Sequence, residues 1–325
     1  MHSVQDISPV ARCVWLEKSV AHHFSGRRIA VEPFREGVDC WVDLVVDQTR
    51  PVAVVRTARS EILHTSYEGV VDFRDTVEKE VGVASLLREV SIPTPEVLAW
   101  NLRSDEDPRD RSWVVYEYVP HIPCSEVPES VHEQLGFIAS RIHAIRPGAD
   151  ETVAVKSCGG WESHVIDRIL QRLSAARRYM ELPPLEEIRS ALTEIIAGRE
   201  SSAGSLLHLD LRAPNLAIVD GRIAAILDLS NAMVGDPVLE LSRLRACGLL
   251  SERFWRGYAW QEKDRLSVHE LLDAYELDIS ALLVVVSREE FSDPVLHENM
   301  KARTRELLER LKLWPRAMSG KEEGS

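Results

Sequence analysis

Residues 204–230 read GSLLHLDLRAPNLAIVDGRIAAILDLS. Two apolar runs, LAIV and RIAAILD, flank Asp220-Gly221, and an Asp-Gly pair between such runs predicts a β-hairpin closed by a two-residue turn. An apolar strand leads into His208. Asp210 and Asn215 stand in a D-x-x-x-x-N spacing just before the hairpin, and Asp228 ends its second strand.

That distribution of carboxylates and amide suits phosphoryl transfer. A nucleoside triphosphate needs a divalent cation on its phosphates, and magnesium takes hard oxygen ligands, usually one or two of them from protein. Asn215 and Asp228 can supply those oxygens. A separate carboxylate must orient the acceptor hydroxyl and take its proton, and Asp210 lies on the loop just before the metal-binding pair. An Asp and an Asn at this spacing also occur in turns, where they bond local main chain. The flanking strands and the second Asp favour the chemical reading.

Upstream, residues 28–57 contain two Val-rich runs around the turn-like Asp47–Pro51, which predicts antiparallel strands. Val77, Val81, Ala84 and Leu87 recur at helical spacing, with Asp75 and Glu78 in a capping arrangement, and SIPTP ends that helix. EVLAW and WVVYEYVP follow as buried strands. Beyond Pro120 the pattern turns helical: Ser130 and Glu133 form an S-x-x-E box ahead of the stripe Val131, Leu135, Ile138, Ile142 and Ile145. Helical periodicity returns from Pro237 to Leu311, and the polar end, MSGKEEGS, is expected to fray. An α+β fold with two lobes follows, residues 1–119 forming an antiparallel-sheet lobe with one main helix and 120–325 a larger, mainly helical lobe, with the small hairpin inside it.

Composition agrees with two cores: 325 residues exceed the usual size of a single one, and 45% are hydrophobic. The net charge of -13 argues against nucleic acid or a membrane surface as partner, both being negative, and favours a neutral or cationic small molecule. Five cysteines, Cys13, Cys40, Cys124, Cys158 and Cys247, show no C-x-x-C pair and read as reduced thiols. The opening residues carry no basic segment with an apolar core behind it, and no apolar run approaches a membrane span, so a soluble cytoplasmic protein is expected.

The stretch LLHLDLRAPNLAIVDGRIAAILDLSNAMVGDPVLEL resembles the catalytic core of the aminoglycoside phosphotransferase and choline kinase type, with its H-G-D-x-x-x-x-N loop and D-x-x-x-x-x-x-G-D-P segment. The resemblance implies a bilobal protein-kinase-like fold using ATP and Mg2+. By it, Asp210 is the catalytic base and Asn215 and Asp228 hold magnesium. Leu209 stands where the family has Gly. Arg212 is placed to meet the transferring phosphate, or is a surface or structural residue, and His208 reads as a main-chain-bonding residue in preference to a proton-transfer one. Arg56 stands where the family has a phosphate-contacting Lys, keeping the charge but bringing a planar fork. Glu80 is its helix partner; a plain surface Arg56 and a solvent-exposed Glu80 are the alternatives. Gly37, in the loop Glu36–Asp39, would cover the phosphates, and the main chain of Glu117–Val119 would meet the adenine.

Gly235-Asp236-Pro237 reads as a helix start, with Asp at the cap and Pro at the first position, in preference to a catalytic Asp236. Glu262–Glu298 holds ten acidic and three basic residues, which either bind a cationic acceptor, as in aminoglycoside-type enzymes, or form a solvated face. Trp255, Tyr258 and Trp260 either flank an acceptor pocket or pack in the core. Only seven residues separate Asp228 from Asp236, with no clear activation-loop signature, which favours a small molecule over a protein substrate. The expectation is an ATP-dependent phosphotransferase acting on a hydroxyl of a small molecule: an antibiotic such as an aminoglycoside, a biosynthetic intermediate, or choline, homoserine or a sugar. Arg56 and the glycine-poor loop keep a nucleotide-binding pseudokinase scaffold as the alternative.

Overall fold

The computed structural model describes residues 8–37, 39–104, 106, 110–148 and 160–314. Val38, Cys158 and the polar end from Met318 lie outside them. In chain order the elements are α1 (Pro9–Val20), β1 (Ile29–Glu36), β2 (Cys40–Asp47), β3 (Arg50–Ala58), β4 (Ile62–Thr65), β5 (Gly69–Asp72), α2 (Phe73–Glu89), β6 (Val97–Asn101) and β7 (Trp113–Glu117). There follow α3 (His132–Ala144), α4 (Gly160–Ala176), α5 (Leu185–Ile196), β8 (Ser205–Leu207), β9 (Leu216–Val219), β10 (Arg222–Ile226), β11 (Met233–Gly235), α6 (Pro237–Ala246), α7 (Glu252–Tyr258), α8 (Glu262–Ser267), α9 (His269–Glu289) and α10 (Pro294–Arg310). Two compact units result: the chain up to His64 with Val70–Ser125 and Ala213–Ser230, and Thr65–Gly69 with Glu126–Arg212 and the chain from Asn231 onward. The hairpin β9–β10, read from sequence as part of the helical lobe, groups with the N-terminal strands.

The first unit is built on a five-stranded sheet in the order β1-β2-β3-β7-β6, every neighbouring pair antiparallel. Side chains alternate across it. Val31, Val45, Ala53, Val55 and Val115 share a core with Leu16 and Val20 of α1. Ala58, Val114 and Tyr116, on the other face, pack with Phe73 and Val77 of α2. Helix α1 starts on Ser8, whose hydroxyl accepts the Ala11 N–H, with Pro9 at its head. The cap of α2 is Asp72, which accepts the Arg74 N–H, rather than Asp75. The buried Phe73 starts the helix four residues before Val77, the first residue of the aliphatic stripe. Asp220 and Gly221 both have positive φ, 49° and 72°, as a primed hairpin turn requires. Ile226 N–H donates to Pro93 O at 2.9 Å and Thr94 Oγ1 to Ile226 O at 3.3 Å, pinning this hairpin to the segment behind α2.

In the second unit helices surround the short pair β8–β11. The expected Ser130–Glu133 box does not form: Glu129–Val131 make a single 3-10 turn, and α3 begins at His132 without a side-chain cap. The buried stripe Leu135, Ile138 and Ile142 is as expected. Helices α3 and α7 meet through Gly136 and Gly257, where a Cβ on either would collide with the main chain of the other helix. Asp236 caps α6 by accepting the Val238 N–H, with Pro237 at the first position, and Arg199 binds its carboxylate at 2.6 and 3.0 Å. Among the described residues no helix is long and apolar enough to cross a membrane.

Candidate active site

In the first unit, β3 and β7 alternate so that Arg56, Val114 and Tyr116 point to the α2 side of the sheet. Arg56 Nη1 lies 2.7 Å from Glu80 Oε1 and 3.3 Å from Asp228 Oδ1, and Nη2 is 3.7 Å from Cys40 Sγ. Glu80 is fully buried on α2, and its second oxygen, Oε2, accepts the Tyr116 hydroxyl at 2.5 Å. Burial pushes the Glu80 carboxyl up even against the neighbouring Arg56, and it also pushes up the Cys40 thiol. Burial works against the charge on Arg56, but Asp228 and Glu80 outweigh it and raise Arg56 well above its ordinary value.

Asn215 and Asp228 sit at the open end of the β9–β10 hairpin, where Leu227 N–H donates to Asn215 O at 2.8 Å. Asp228 has φ +59°, a left-handed conformation that costs a non-glycine residue about 1–3 kcal/mol and marks functional sites more often than others. Ser230 Oγ donates to Asp228 Oδ1 at 2.7 Å. An amide oxygen and a carboxylate tied to one hairpin end are the hard donors that magnesium takes. Gly37 N–H donates to Cys40 O at 2.8 Å, and Arg59 Nη1 holds Gly37 O at 3.1 Å. Glu117 ends β7 with its N–H on Glu96 O at 2.8 Å, and Val119 O lies 2.8 Å from His121 Nδ1.

In the second unit, β8 delivers the loop His208–Arg212. Glu240 takes the His208 N–H at 3.0 Å on one oxygen and the Leu209 N–H at 2.8 Å on the other. Its Oε2 also lies 2.8 Å from His143 Nε2, and His143 Nδ1 is 2.7 Å from the Tyr258 hydroxyl. Burial pushes the Glu240 carboxyl up, but the bonds and charges of His143 and His208 prevail and hold it below its ordinary value. His208 Nδ1 accepts the Asp210 N–H at 3.2 Å. Arg212 Nε donates to Asp210 Oδ1 at 2.7 Å, the Arg side chain 48% and the Asp 17% exposed. That exposed ion pair adds little to stability.

The profile of the phosphotransferase enzyme family (APH) matches residues 44–271, well over half of the 325. This chain belongs to that family. Among solved structures, the phosphotransferase is similar to aminoglycoside phosphotransferase APH(4)-Ia in ternary complex with ADP and hygromycin B, at 15% identity, covering 93% of this chain and 99% of that one with TM-score 0.62. It is also similar to the GDP and kanamycin complex of APH(2")-IIIa, at 17% identity, 92% and 98% coverage and TM-score 0.59. A third is macrolide 2'-phosphotransferase MphH from Brachybacterium faecium, at 18% identity, 89% and 97% coverage and TM-score 0.53. Curated proteins give no match. At these identities the likeness establishes the α+β, protein-kinase-like fold.

Four residues of the phosphotransferase around these positions are not marked as site residues by sequence: Tyr116, Cys40, Glu240 and Arg243. The last two have a legible signal, charged residues three apart in VLELSRL, where the other residues apart from Ser242 are apolar. The acidic run of α8 and α9 is extensively paired. Asp278 binds Arg168, Arg172 and Arg243 at 3.0, 2.7 and 2.9 Å, Asp273 binds Arg245 and Arg310 at 2.8 and 3.0 Å, and Glu276 meets Arg245 and Arg303. Trp255 and Tyr258 are buried, and Trp255 stacks on Trp260 with ring centres 6.0 Å apart.

Proposed function

We propose that this phosphotransferase moves the γ-phosphate of ATP to a hydroxyl of a small molecule. The observation that carries this is the meeting of Arg56, Glu80 and Asp228, one cation and two carboxylates, at the hairpin end that also bears Asn215. Arg56 binds the nucleotide phosphates, oriented by Glu80. Asn215 and Asp228 would hold magnesium, which would neutralise charge on the nucleotide phosphates. Asp210, on its clamped loop, accepts the proton of the acceptor hydroxyl, and Arg212 fixes one of its oxygens and lends positive charge to the phosphoryl group. Gly37 and its loop cover the phosphates, and main chain at Glu117 and Val119 meets the base.

The solved relatives bind ADP with hygromycin B and GDP with kanamycin, which supports a purine nucleotide and a hydroxylated acceptor here. Because Asp273, Glu276 and Asp278 are consumed by arginines, the acidic run offers a cationic acceptor less free charge than its sequence implies. The test is release of labelled phosphate onto a panel of aminoglycosides, macrolides, choline, homoserine and sugars, with and without magnesium, alongside Asp228→Ala. Magnesium-dependent transfer lost in Asp228→Ala supports the reading. Near-parental rates in that variant would remove the metal assignment, and nucleotide binding without transfer to any acceptor would favour the scaffold.

A further inference from the structure

We propose that Tyr116 is a positioning residue for nucleotide binding, its hydroxyl dividing the Glu80 carboxylate so that the Arg56 guanidinium stays available to phosphate. The inference rests on Arg56 being the phosphate-binding cation. An arginine and a carboxylate left to themselves favour a two-bond fork in which both carboxylate oxygens are taken. Here that arrangement is not formed. Glu80 gives Oε1 to Arg56 at 2.7 Å and Oε2 to Tyr116 at 2.5 Å. The guanidinium makes a single bond to Glu80 through Nη1, which also lies 3.3 Å from Asp228 Oδ1, and its second terminal nitrogen, Nη2, turns to Cys40 at 3.7 Å.

A lysine at position 56 would need no such restraint, because an ammonium is a compact charge on a flexible stem. The planar fork of arginine does need it. Tyr116 is well placed to impose that restraint, since it lies on β7, one strand from Arg56, on the same face of the sheet, and is buried. Burial, reinforced by Glu80, raises its phenol well above the ordinary value, so the hydroxyl keeps its proton and remains a donor. Without it, Glu80 Oε2 is left buried and unbonded, and recapturing Arg56 in a fork is the readiest remedy. That recapture draws the guanidinium off Asp228 and off the phosphates.

The test is titration of the full chain with a non-hydrolysable ATP analogue in magnesium, for the parent, Tyr116→Phe, Arg56→Ala, the double variant, and Val115→Ala. Val115 is buried on the opposite face of the sheet, so its truncation destabilises the same strand without touching Glu80. Tyr116→Phe is expected to weaken binding about tenfold, while Val115→Ala, melting at least as early, binds within about twofold of the parent. In the Arg56→Ala background the tyrosine change should add almost nothing, because its effect passes through the guanidinium. Equal affinity in Tyr116→Phe and parent, or the same tenfold loss with Arg56 already gone, overturns the proposal and leaves Tyr116 a packing residue. A parent that binds no nucleotide overturns the Arg56 assignment itself, and this inference with it.

Discussion

Arg243 donates from Nη1 to the main-chain oxygen of Leu209 at 2.6 Å. Leu209 has φ +63°, so a leucine is held where a glycine would sit without strain, at a cost of about 1–2 kcal/mol. What holds it is α6: Glu240 takes the two N–H groups of His208 and Leu209, and Arg243, one turn later, takes the carbonyl. Arg243 is in turn fixed by Asp278 at 2.9 Å. The loop carrying Asp210 is thereby fixed by the chain's own bonds, as the proton-accepting role proposed for it requires.

Glu240→Gln should test that clamp. The amide has one acceptor oxygen for two N–H donors, and its NH2 group faces a donor. The expected loss is about 2 kcal/mol of stability, from leaving a buried N–H unbonded. Because the loop and not the nucleotide contacts is disturbed, kcat should fall more than the apparent ATP affinity. Denaturant titration beside steady-state kinetics reads both, and a variant equal to the parent in each would show the clamp to be dispensable.

Acid should weaken the second unit. Burial pushes both Glu240 and Asp278 up, but the partners prevail: His143 and His208 for the first, and Arg168, Arg172 and Arg243 for the second. Both carboxyls therefore sit below their unfolded values. Their contribution is complete above the ordinary carboxylate range, at about pH 5, and is lost as pH falls through the depressed values. Glu61 and Glu80, raised by burial, belong to the first unit and act there in the opposite direction just above that range. Urea midpoints measured from about pH 6 to 3 should fall, and Asp278→Asn, though less stable throughout, should fall less steeply. An equal slope in the variant would place the acid sensitivity elsewhere.

Arg56→Lys should keep part of the activity, since the ammonium can still pair with Glu80 and meet phosphate but cannot also span to Asp228 and Cys40. Arg56→Ala should raise the ATP KM by about tenfold or more and lower stability, because Glu80 is left buried with only Tyr116. Unchanged kinetics in the alanine variant would mean that the ion pair is structural.

What sequence discloses and what it hides divide along one physical line. Local chemistry is legible: the Asp220-Gly221 turn, the Asp236–Pro237 helix start and the alternation of β2 and β3 are written within a few residues of one another. Pairing at long range is not. Arg12 on α1 breaks the apolar stripe of Cys13, Leu16 and Val20, and nothing nearby shows that Asp43, thirty-one residues on, takes its guanidinium at 2.7 and 2.9 Å. Helix α1 is accordingly absent from the sequence reading. The acidic run of α9 looks available for the same reason: the charges are local, and the arginines that meet Asp273, Glu276 and Asp278 come from α4, α6 and α10. Tyr116 and Cys40 read as strand residues because their relation to Arg56 exists only once three strands and α2 are assembled.

Asp210→Asn addresses the mechanism most directly. Asparagine keeps the side chain's shape, and its carbonyl oxygen can still accept the Arg212 Nε–H that Asp210 Oδ1 accepts at 2.7 Å. The Asp210 N–H bond to His208 and the hold of Glu240 and Arg243 on the preceding residues involve main chain and are unaffected. Fold, melting temperature and nucleotide affinity should therefore stay close to parental. What the amide cannot do is accept the proton of the acceptor hydroxyl, and that contribution is typically about 10²–10⁴-fold in kcat. A fall in kcat without a matching loss of nucleotide binding is the mark of an interaction made in the transition state. Titration with nucleotide in magnesium gives the first quantity, and turnover of whichever hydroxylated acceptor is active gives the second. Parental kcat in Asp210→Asn would refute the catalytic-base role while leaving the fold and family untouched. A parallel loss of nucleotide affinity would instead mean that Asp210 supports the phosphate site, and the proton would have to leave by another route.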